Sequence, residues 1–189
     1  MPHHTLSLLL DYNQHPHKVC PSDKEELVNQ TLGAMKHYMV NQEVKDTIKM
    51  LLSTENFLRK AVLKPELLPI SIGDVAYIDF GHAYLHEAGY QHFGLVLSMV
   101  NGKVFVVPMT SNPNAYAQAY DAQLHPSGKK HLMRVGLLSG LNRPSVLFLN
   151  DSKFISPSRI IEIKGHLRVS DPLFEQIMHR VRATIFNTE

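Results

Sequence analysis

The sequence of 189 residues lacks several features that define whole classes of protein. Its single cysteine, Cys20, excludes an internal disulfide framework. No apolar run reaches the length of a membrane span, and the apolar run at residues 8–10 lacks the cationic flank and small-residue cleavage site of a signal peptide. We therefore expect a cytoplasmic protein that does not bind a membrane.

The net charge is also low, and no motif identifies a nucleotide-binding protein. The chain carries 19 Lys or Arg against 17 Asp or Glu, a net charge of +2, which argues against a protein that coats DNA. The excess lies in residues 71–189, which hold 11 basic and 9 acidic residues, whereas residues 1–70 hold eight of each. We find no internal repeat, no low-complexity tract and no glycine loop for a nucleotide phosphate.

What the sequence does contain is a series of patterns typical of β-strands. Residues 75–80 alternate large apolar with small or polar side chains and follow a Gly-Asp turn pair. Residues 93–100 and 103–109 are β-branched runs joined by Asn-Gly, the strongest short-range signal for a hairpin. Pro108 has no N–H to donate, so we expect it to end the ladder.

Polar side chains cluster where these strands end. Thr110 and Ser111 come directly after the second hairpin strand, a position that a small barrel would hold at its rim. The loop of residues 81–92 enters the same neighbourhood and carries three histidines and a glutamate: His82, His86, Glu87 and His92. Any chemistry is therefore expected in this part of the chain.

The segment before the first strand has a helical character. Residues 22–64 predict two helices, because apolar side chains recur at helical spacing, and the pair Ser22 and Glu25 fits a capping box at the start. Packing or dimerisation is the expected role of this extension. Cys20 lies near two histidines, but a complete set of four metal ligands is missing, so we expect a flexible tail there.

Strand and helix patterns also follow in the last third of the chain. Residues 145–149 and 159–163 predict two short strands separated by a turn and a Ser-Pro-Ser interruption. Asp171 followed by Pro172 is a good helix start, and the apolar residues after it recur at spacings of three and four. We expect an amphipathic C-terminal helix that covers one face of the barrel.

Together these motifs resemble one family. A GD-x-x-x-x-DF strand, a loop with a glutamate, a GLVLS strand and a VVPMTS strand end, in this order, are similar to the MazF/PemK-like toxin endoribonucleases. The resemblance covers roughly residues 72–186. It implies an α+β fold with a small SH3-like antiparallel β-barrel, preceded here by an N-terminal helical extension. It also implies a toxin that cuts single-stranded RNA without a cofactor, as a homodimer restrained by an antitoxin protein.

The resemblance assigns roles to individual residues, with one departure. The threonine of the family corresponds to Thr110, and its loop acid corresponds to Glu87. The usual catalytic arginine corresponds to His92, so the standard mechanism does not transfer unchanged. Ser152 and Lys153 fall in the segment that lies near the RNA in similar proteins.

A histidine at this position suits metal-free RNA cleavage. The reaction removes a proton from a 2′-hydroxyl and returns one to the leaving 5′-oxygen, and histidine has the best unperturbed pKa for both steps. The hydroxyls of Thr110 and Ser111 would stabilise charge on the phosphate, and Glu87 would orient His92 or position the ribose hydroxyl. The alternative is that His92 is an ordinary loop histidine bonded to a backbone carbonyl.

Two more histidines and a run of cations complete the candidate residues. His82 and His86 are spaced by four, but glycines frame their segment, so we expect a loop that is solvated or contacts RNA rather than a metal-binding helix. The basic cluster follows two tyrosines, and cations beside aromatic rings suit unstacked RNA. Its members are Lys129, Lys130, His131 and Arg134. An ordinary solvated hairpin is the alternative.

The sequence thus predicts two segments and leaves three functional hypotheses. Residues 1–70 form the tail and helical extension, and residues 71–189 form the barrel domain. The first hypothesis is a metal-independent endoribonuclease toxin, and the second is an SH3-like module that binds nucleic acid or protein without catalysis. In the third, residues 1–70 inhibit the nuclease internally.

Overall fold

A computed structural model describes residues 3–63, 68–121 and 123–186. Contacts divide the chain into two compact units, Met1–Ile48 and Lys49–Glu189. The predicted division at residue 70 stays a prediction. In chain order the elements are α1 (His3–Gln14), α2 (Pro21–Val40), α3 (Val44–Leu63), β1 (Asp74–Asp79), β2 (Gln91–Val100), β3 (Lys103–Thr110), α4 (Pro113–Gln118), β4 (Ala119–Tyr120), β5 (Lys129–Gly136), β6 (Ser145–Phe148), β7 (Lys153–Ile155), β8 (Ile160–His166) and α5 (Pro172–Phe186).

The first unit is helical, and it differs from the prediction at its start. Helix α1 forms where we expected a flexible tail. Helix α2 begins at Pro21 with Cys20 at its N-cap, and no side chain caps it, so the predicted capping box at Ser22 is wrong. Proline suits the first helical position because the N–H that it lacks has no helical partner there. Helix α3 is observed to Leu63, and its predicted end at residue 64 lies outside the described residues.

In the second unit, the described strands form one eight-stranded sheet. The strand order is β4-β5-β6-β3-β2-β1-β8, and β7 pairs with β3 beside this path. All pairs are antiparallel except β4 with β5. The α+β class that we predicted is therefore present. The expected closed barrel is not, because β4 and β8 end the path without pairing to each other among the described residues.

The hairpin of β2 and β3 forms at the Asn-Gly pair as predicted. Asn101 and Gly102 have φ values of 48° and 73°, which the mirror-image hairpin turn requires. The prediction that Pro108 ends the ladder is wrong, since Pro108 pairs with Gly94 and β3 continues to Thr110. On the edge that faces away from β2, β3 pairs with β7 up to Val106 and with β6 from residue 109. Pro108, which has no N–H to donate, lies in the gap between these two pairings.

The alternating pattern of the strands builds a hydrophobic cluster on each face of the sheet. Val75, Leu95 and Val107 belong to one cluster, which also receives the buried face of α5. Residues one position along, Ala76 and Val106 among them, belong to the other cluster. Each fully buried aliphatic side chain contributes roughly 1.5–3 kcal/mol to the burial term, so the sheet is stabilised from both faces.

The part of α3 that belongs to the second unit is fixed to the sheet by polar contacts. Asn56 Nδ2 donates to the carboxylate of the buried Asp79 at 3.0 Å, and Gln91 Nε2 donates to the Lys49 carbonyl at 3.3 Å. Gly81 N–H donates to the other oxygen of Asp79 at 3.1 Å. These contacts hold α3 near the shared end of β1 and β2. None of the described helices is long and apolar enough to cross a membrane.

Candidate functional site

His92 lies on a strand and not in the loop where we expected it. It is the second residue of β2 and pairs with Ile78 of β1. The ladder continues past β1, since Phe80 N–H donates to the Tyr90 carbonyl at 2.8 Å and Tyr90 N–H donates to the Gly81 carbonyl at 2.7 Å. These two bonds shorten the loop to residues 81–90, and they fix the backbone of His92 in the sheet.

Thr110 ends β3, one residue beyond the last pair that joins β3 to the start of β2. In the antiparallel pair of β2 and β3, Phe93 is opposite Met109 and Gly94 is opposite Pro108. One step further in this register places His92 opposite Thr110, so their side chains share one face of the sheet. The proximity of these two residues stays a prediction, and the strand register supports it.

The surroundings of His92 favour a neutral imidazole. Partial burial lowers the pKa of His92 below its ordinary value, and the positive charge of Lys49 lowers it further. The carboxylate of Asp151 acts in the opposite direction and raises this pKa. A neutral ring at neutral pH can accept a proton, which a general base must do.

Asp151 links the loop to the strands, and the sequence reasoning missed it. Its Oδ2 accepts the Ala88 N–H at 2.6 Å, and its Oδ1 lies 2.6 Å from Lys153 Nζ. Its neighbours Ser152 and Lys153 were candidates, whereas Asp151 was interpreted as part of a turn. No local pattern connects Asp151 with Ala88, because the two are 63 positions apart. We call His92, Thr110, Asp151 and Lys153 the His92 site.

The other predicted hydroxyl groups have different surroundings. Thr110 Oγ1 accepts the Asn112 N–H at 3.2 Å, and Asn112 in turn caps α4. Ser111 follows Thr110 and is exposed. Ser152 Oγ donates to the Leu149 carbonyl at 2.7 Å, so it stabilises the turn between β6 and β7. Thr110 and Ser111 are thus the hydroxyls at the strand end next to His92.

The candidate residues of the loop are mostly exposed. Glu87 accepts the Tyr84 N–H at 3.3 Å within the loop. His82 Nδ1 lies 3.4 Å from the Tyr90 hydroxyl, and the two rings meet edge to face. His86 is exposed and has a φ of 73°, so the segment is not a helix, and His82 and His86 do not share a helix face.

The basic cluster lies on β5, which is a strand rather than a loop. Lys129 and Lys130 are exposed. Arg134 instead donates through Nε to the Tyr116 carbonyl at 2.9 Å, and its guanidinium carbon lies 4.9 Å from the centroid of the Tyr116 ring. Asp121 lies 3.5 Å from Arg134 as an ion pair. Arg134 therefore binds its own chain, which leaves the two lysines as the more accessible cations.

His131 of the basic cluster offers a comparison with His92. Its pKa is also lowered, first by partial burial and then by the positive charge of Lys129. A lowered pKa is therefore not particular to the His92 site. What distinguishes His92 is the threonine on the adjacent strand and the opposite charges of Lys49 and Asp151.

No family model matches the sequence, and no curated protein matches it. The solved structures to which the chain is similar include two MazF toxins and a mycobacterial endoribonuclease. They include MazF from Deinococcus radiodurans, with 16% identity, 65% of this chain and 100% of that chain covered, and a TM-score of 0.46. A MazF toxin from Mycobacterium tuberculosis has 16% identity and a TM-score of 0.40, and the match covers 62% of this chain and 98% of that chain.

A third similar structure is a mycobacterial endoribonuclease in complex with its cognate antitoxin. It has 13% identity and a TM-score of 0.40, and the match covers 64% of this chain and 95% of that chain. At these identities the likeness concerns the fold. Roles for residues of this chain are therefore argued from its own geometry.

Proposed function

We propose that this protein is a metal-independent endoribonuclease toxin of a toxin–antitoxin system that cleaves single-stranded RNA. The observation that carries the proposal is His92, a half-buried histidine at the start of β2, with Thr110 at the end of the adjacent strand β3. A half-buried imidazole with a lowered pKa accepts a proton, and a hydroxyl beside it stabilises developing charge. This is the pair of groups that RNA transesterification requires.

In the proposed reaction, His92 takes the proton of a ribose 2′-hydroxyl. The 2′-oxygen then forms a bond to the adjacent phosphorus, the bond to the 5′-oxygen breaks, and that oxygen receives a proton from water, while His92 returns its proton to the solvent. The products are a 2′,3′-cyclic phosphate and a 5′-hydroxyl. Thr110 and Ser111 donate to the non-bridging oxygens, and the Lys153 ammonium attracts the phosphate.

Other residues contribute to RNA binding in this proposal. Glu87 accepts a bond within its own loop, so of its two predicted roles the positioning of a ribose hydroxyl suits it better. His82 and His86 lie in the same loop and offer nitrogen atoms to a base or phosphate. Lys129 and Lys130 are exposed on β5 and attract the backbone beyond the scissile bond.

Cleavage in excess EDTA tests the activity. We expect the purified protein to cut single-stranded RNA under these conditions and to leave the ends given above. The variant His92→Ala should lose cutting while its circular dichroism and melting curve match the parent. Full activity of this variant would remove His92 from the mechanism.

The antitoxin and the homodimer come from the family resemblance of residues 72–186, and the cytoplasmic location comes from the expected lack of a membrane span and signal peptide. A short open reading frame beside this one, whose product co-purifies with the protein and stops RNA cutting, would support the antitoxin. Light scattering of the purified protein tests the dimer. A monomer that cuts RNA at full rate would contradict it.

A binding module without catalysis is the second candidate. The exposed Lys129 and Lys130 favour it, because phosphate binding needs accessible cations and no proton transfer. Under this alternative the protein binds RNA oligonucleotides and leaves them whole over long incubation, and its expression does not slow growth. The RNA cleavage assay therefore separates the two candidates.

The idea that residues 1–70 inhibit the nuclease can be tested with two deletions. Removal of residues 1–48 keeps the Asn56 contact with Asp79 and the Lys49 carbonyl that Gln91 binds, whereas removal of residues 1–70 takes both away. Higher cleavage activity after either deletion would support inhibition. If only the longer deletion makes the protein insoluble, the segment after residue 48 has a structural role.

A further inference from the structure

Asp151 receives no role in the reaction above, yet its carboxylate contacts both the loop and Lys153 of the His92 site. It ends the short 3-10 turn Leu149–Asp151 between β6 and β7, and its side chain is 14% exposed. A carboxylate in such a place requires partners, because burial of an unpaired charge is unfavourable. Asp151 has one partner for each oxygen: the Ala88 N–H on Oδ2 and the Lys153 ammonium on Oδ1.

The Ala88 contact reaches the distal half of the loop at residues 81–90. The base of this loop is closed by the hydrogen bonds between Phe80, Gly81 and Tyr90. Its tip is open to solvent, since Tyr84 and Leu85 are each 85% exposed. The bond from Ala88 to Asp151 ties the loop to the turn before β7.

The Lys153 contact fixes the second group. Its ammonium lies 2.6 Å from the Asp151 carboxylate and 5.8 Å from the centroid of the Phe80 ring. Phe80 directly precedes the loop, so Lys153 is held between the turn and the loop base. With a side chain that is 33% exposed, Lys153 remains accessible to an anion.

We propose that Asp151 is a positioning residue for the His92 site, which holds the loop of residues 81–90 with one oxygen and the Lys153 ammonium with the other. The loop and the cation are then in place before RNA binds. This inference rests on the proposed ribonuclease function. Preorganised groups of this kind raise a rate because the reacting atoms need no further ordering, and a misplacement of about 1 Å can lower a rate about 100-fold.

The charge of Asp151 also acts on His92, where it opposes the charge of Lys49. Lys49 of α3 lowers the pKa of His92, and Asp151 raises it. Lys153 of β7 faces Asp151 as its ion-pair partner, and Asp79 of β1 binds Asn56 of α3 and the Gly81 N–H. Loss of the Asp151 charge leaves the effect of Lys49 without opposition, so His92 should titrate at lower pH.

Two substitutions separate the hydrogen bond from the charge. Asp151→Asn keeps an oxygen that can accept the Ala88 N–H, but it removes the negative charge. Asp151→Ala removes both. Glu162→Gln is the matched control, because Glu162 is an exposed carboxylate of β8 whose ion-pair partner is Lys164.

The measurements on the full-length protein are hydrogen exchange of residues 81–90 and the titration of His92 by nuclear magnetic resonance, both without RNA. In Asp151→Ala, exchange in the loop should rise about tenfold or more, as expected for the loss of a hydrogen bond to a charged group. In Asp151→Asn, exchange should stay near that of the parent while His92 titrates at lower pH. Glu162→Gln should change neither.

Cleavage kinetics complete the test. We expect kcat to fall about 10- to 100-fold in Asp151→Ala, with a smaller change in KM, because the groups are misplaced rather than removed. If loop exchange and the His92 titration match the parent in both variants, the inference about Asp151 is overturned, whatever the activity. If both change as expected and the parent does not cut RNA, the proposed function fails while Asp151 still holds the loop.

Discussion

The His92 site and the basic cluster of β5 both combine a histidine with lysine, but the surroundings of these side chains differ. In the basic cluster, Arg134 binds the Tyr116 carbonyl and Asp121, while Lys129 and Lys130 are exposed. At the His92 site, the Lys153 ammonium contacts the Asp151 carboxylate and stays partly exposed. The His92 imidazole is half-buried. The number of cations in a segment therefore says little about what they do, since burial and neighbouring carboxylates decide it.

Substitution of the two histidines gives the largest expected difference between these regions. His92→Ala should lower RNA cleavage by about 10²–10⁴-fold, the usual contribution of a positioned acid or base. His131→Ala is the matched control, because His131 has a lowered pKa for the same main reason, burial. Its cleavage rate should stay close to that of the parent. Equal losses in both variants would mean that the reaction does not depend on the arrangement around His92.

Loss of the Thr110 hydroxyl should have the next largest effect. Thr110→Val keeps the shape and the strand propensity of the side chain, but it removes the donor beside His92. We expect kcat to fall by about 10²–10³-fold, as for the loss of one transition-state donor elsewhere. Thr110→Ser retains the hydroxyl and should recover most of the rate. A Val variant that is as active as the Ser variant would show that the hydroxyl takes no part.

The pH dependence of the cleavage rate reports the charges around His92. A protonated imidazole cannot accept the 2′-hydroxyl proton, so the rate should fall as the pH drops through the pKa of His92. Because this pKa is lowered from the ordinary value of 6.5, the fall should lie below that pH. Lys49→Met removes a positive charge, so it should raise the pKa of His92 and move the fall to higher pH. Lys60→Met, also on α3, is the control, and a profile that is unchanged by Lys49→Met would contradict the assignment.

The smallest expected effects distinguish the cations of the basic cluster. Arg134→Ala should lower the free energy of unfolding by about 1–3 kcal/mol, because the variant loses charged hydrogen bonds. The double variant Lys129→Ala with Lys130→Ala should change the unfolding free energy by less than about 0.5 kcal/mol.

If the lysines bind RNA phosphates, the slope of log affinity against log salt should fall by about 0.7 for each phosphate that the double variant no longer binds. Urea denaturation and RNA binding at several salt concentrations measure these effects, and a double variant that unfolds as readily as Arg134→Ala would contradict the distinction.

Local sequence patterns predicted much of the central sheet. Strands β1, β2 and β3 and the Asn-Gly turn follow from alternation and turn chemistry, which act between neighbouring residues. The prediction for Pro108 failed because its outcome depends on which strands lie beyond β3. Helix α4, which starts at Pro113 after its Asn112 cap, was missed because only a short segment carries its signal.

Local sequence patterns likewise predicted some features of the candidate site and missed others. The loop with His82, His86 and Glu87 was visible in the sequence, and so was the position of His92 just before, and of Thr110 just after, the two strands of the hairpin. The contact of Asp151 with Ala88 was not, because it connects residues 63 positions apart. The placement of Lys49 near His92 depends on how α3 packs, and helical periodicity does not show which strand a helix meets.

The sequence by itself determined the β-hairpin, the helical segment before the sheet and the presence of a histidine, His92, directly before the hairpin. These features depend on side-chain pattern and turn chemistry over a few residues. Only the tertiary structure decided that His92 lies in a strand, that its imidazole is partly buried between opposite charges, and that Asp151 holds the loop. The reason is physical, since burial and electrostatic effects depend on distances between residues that are far apart along the chain.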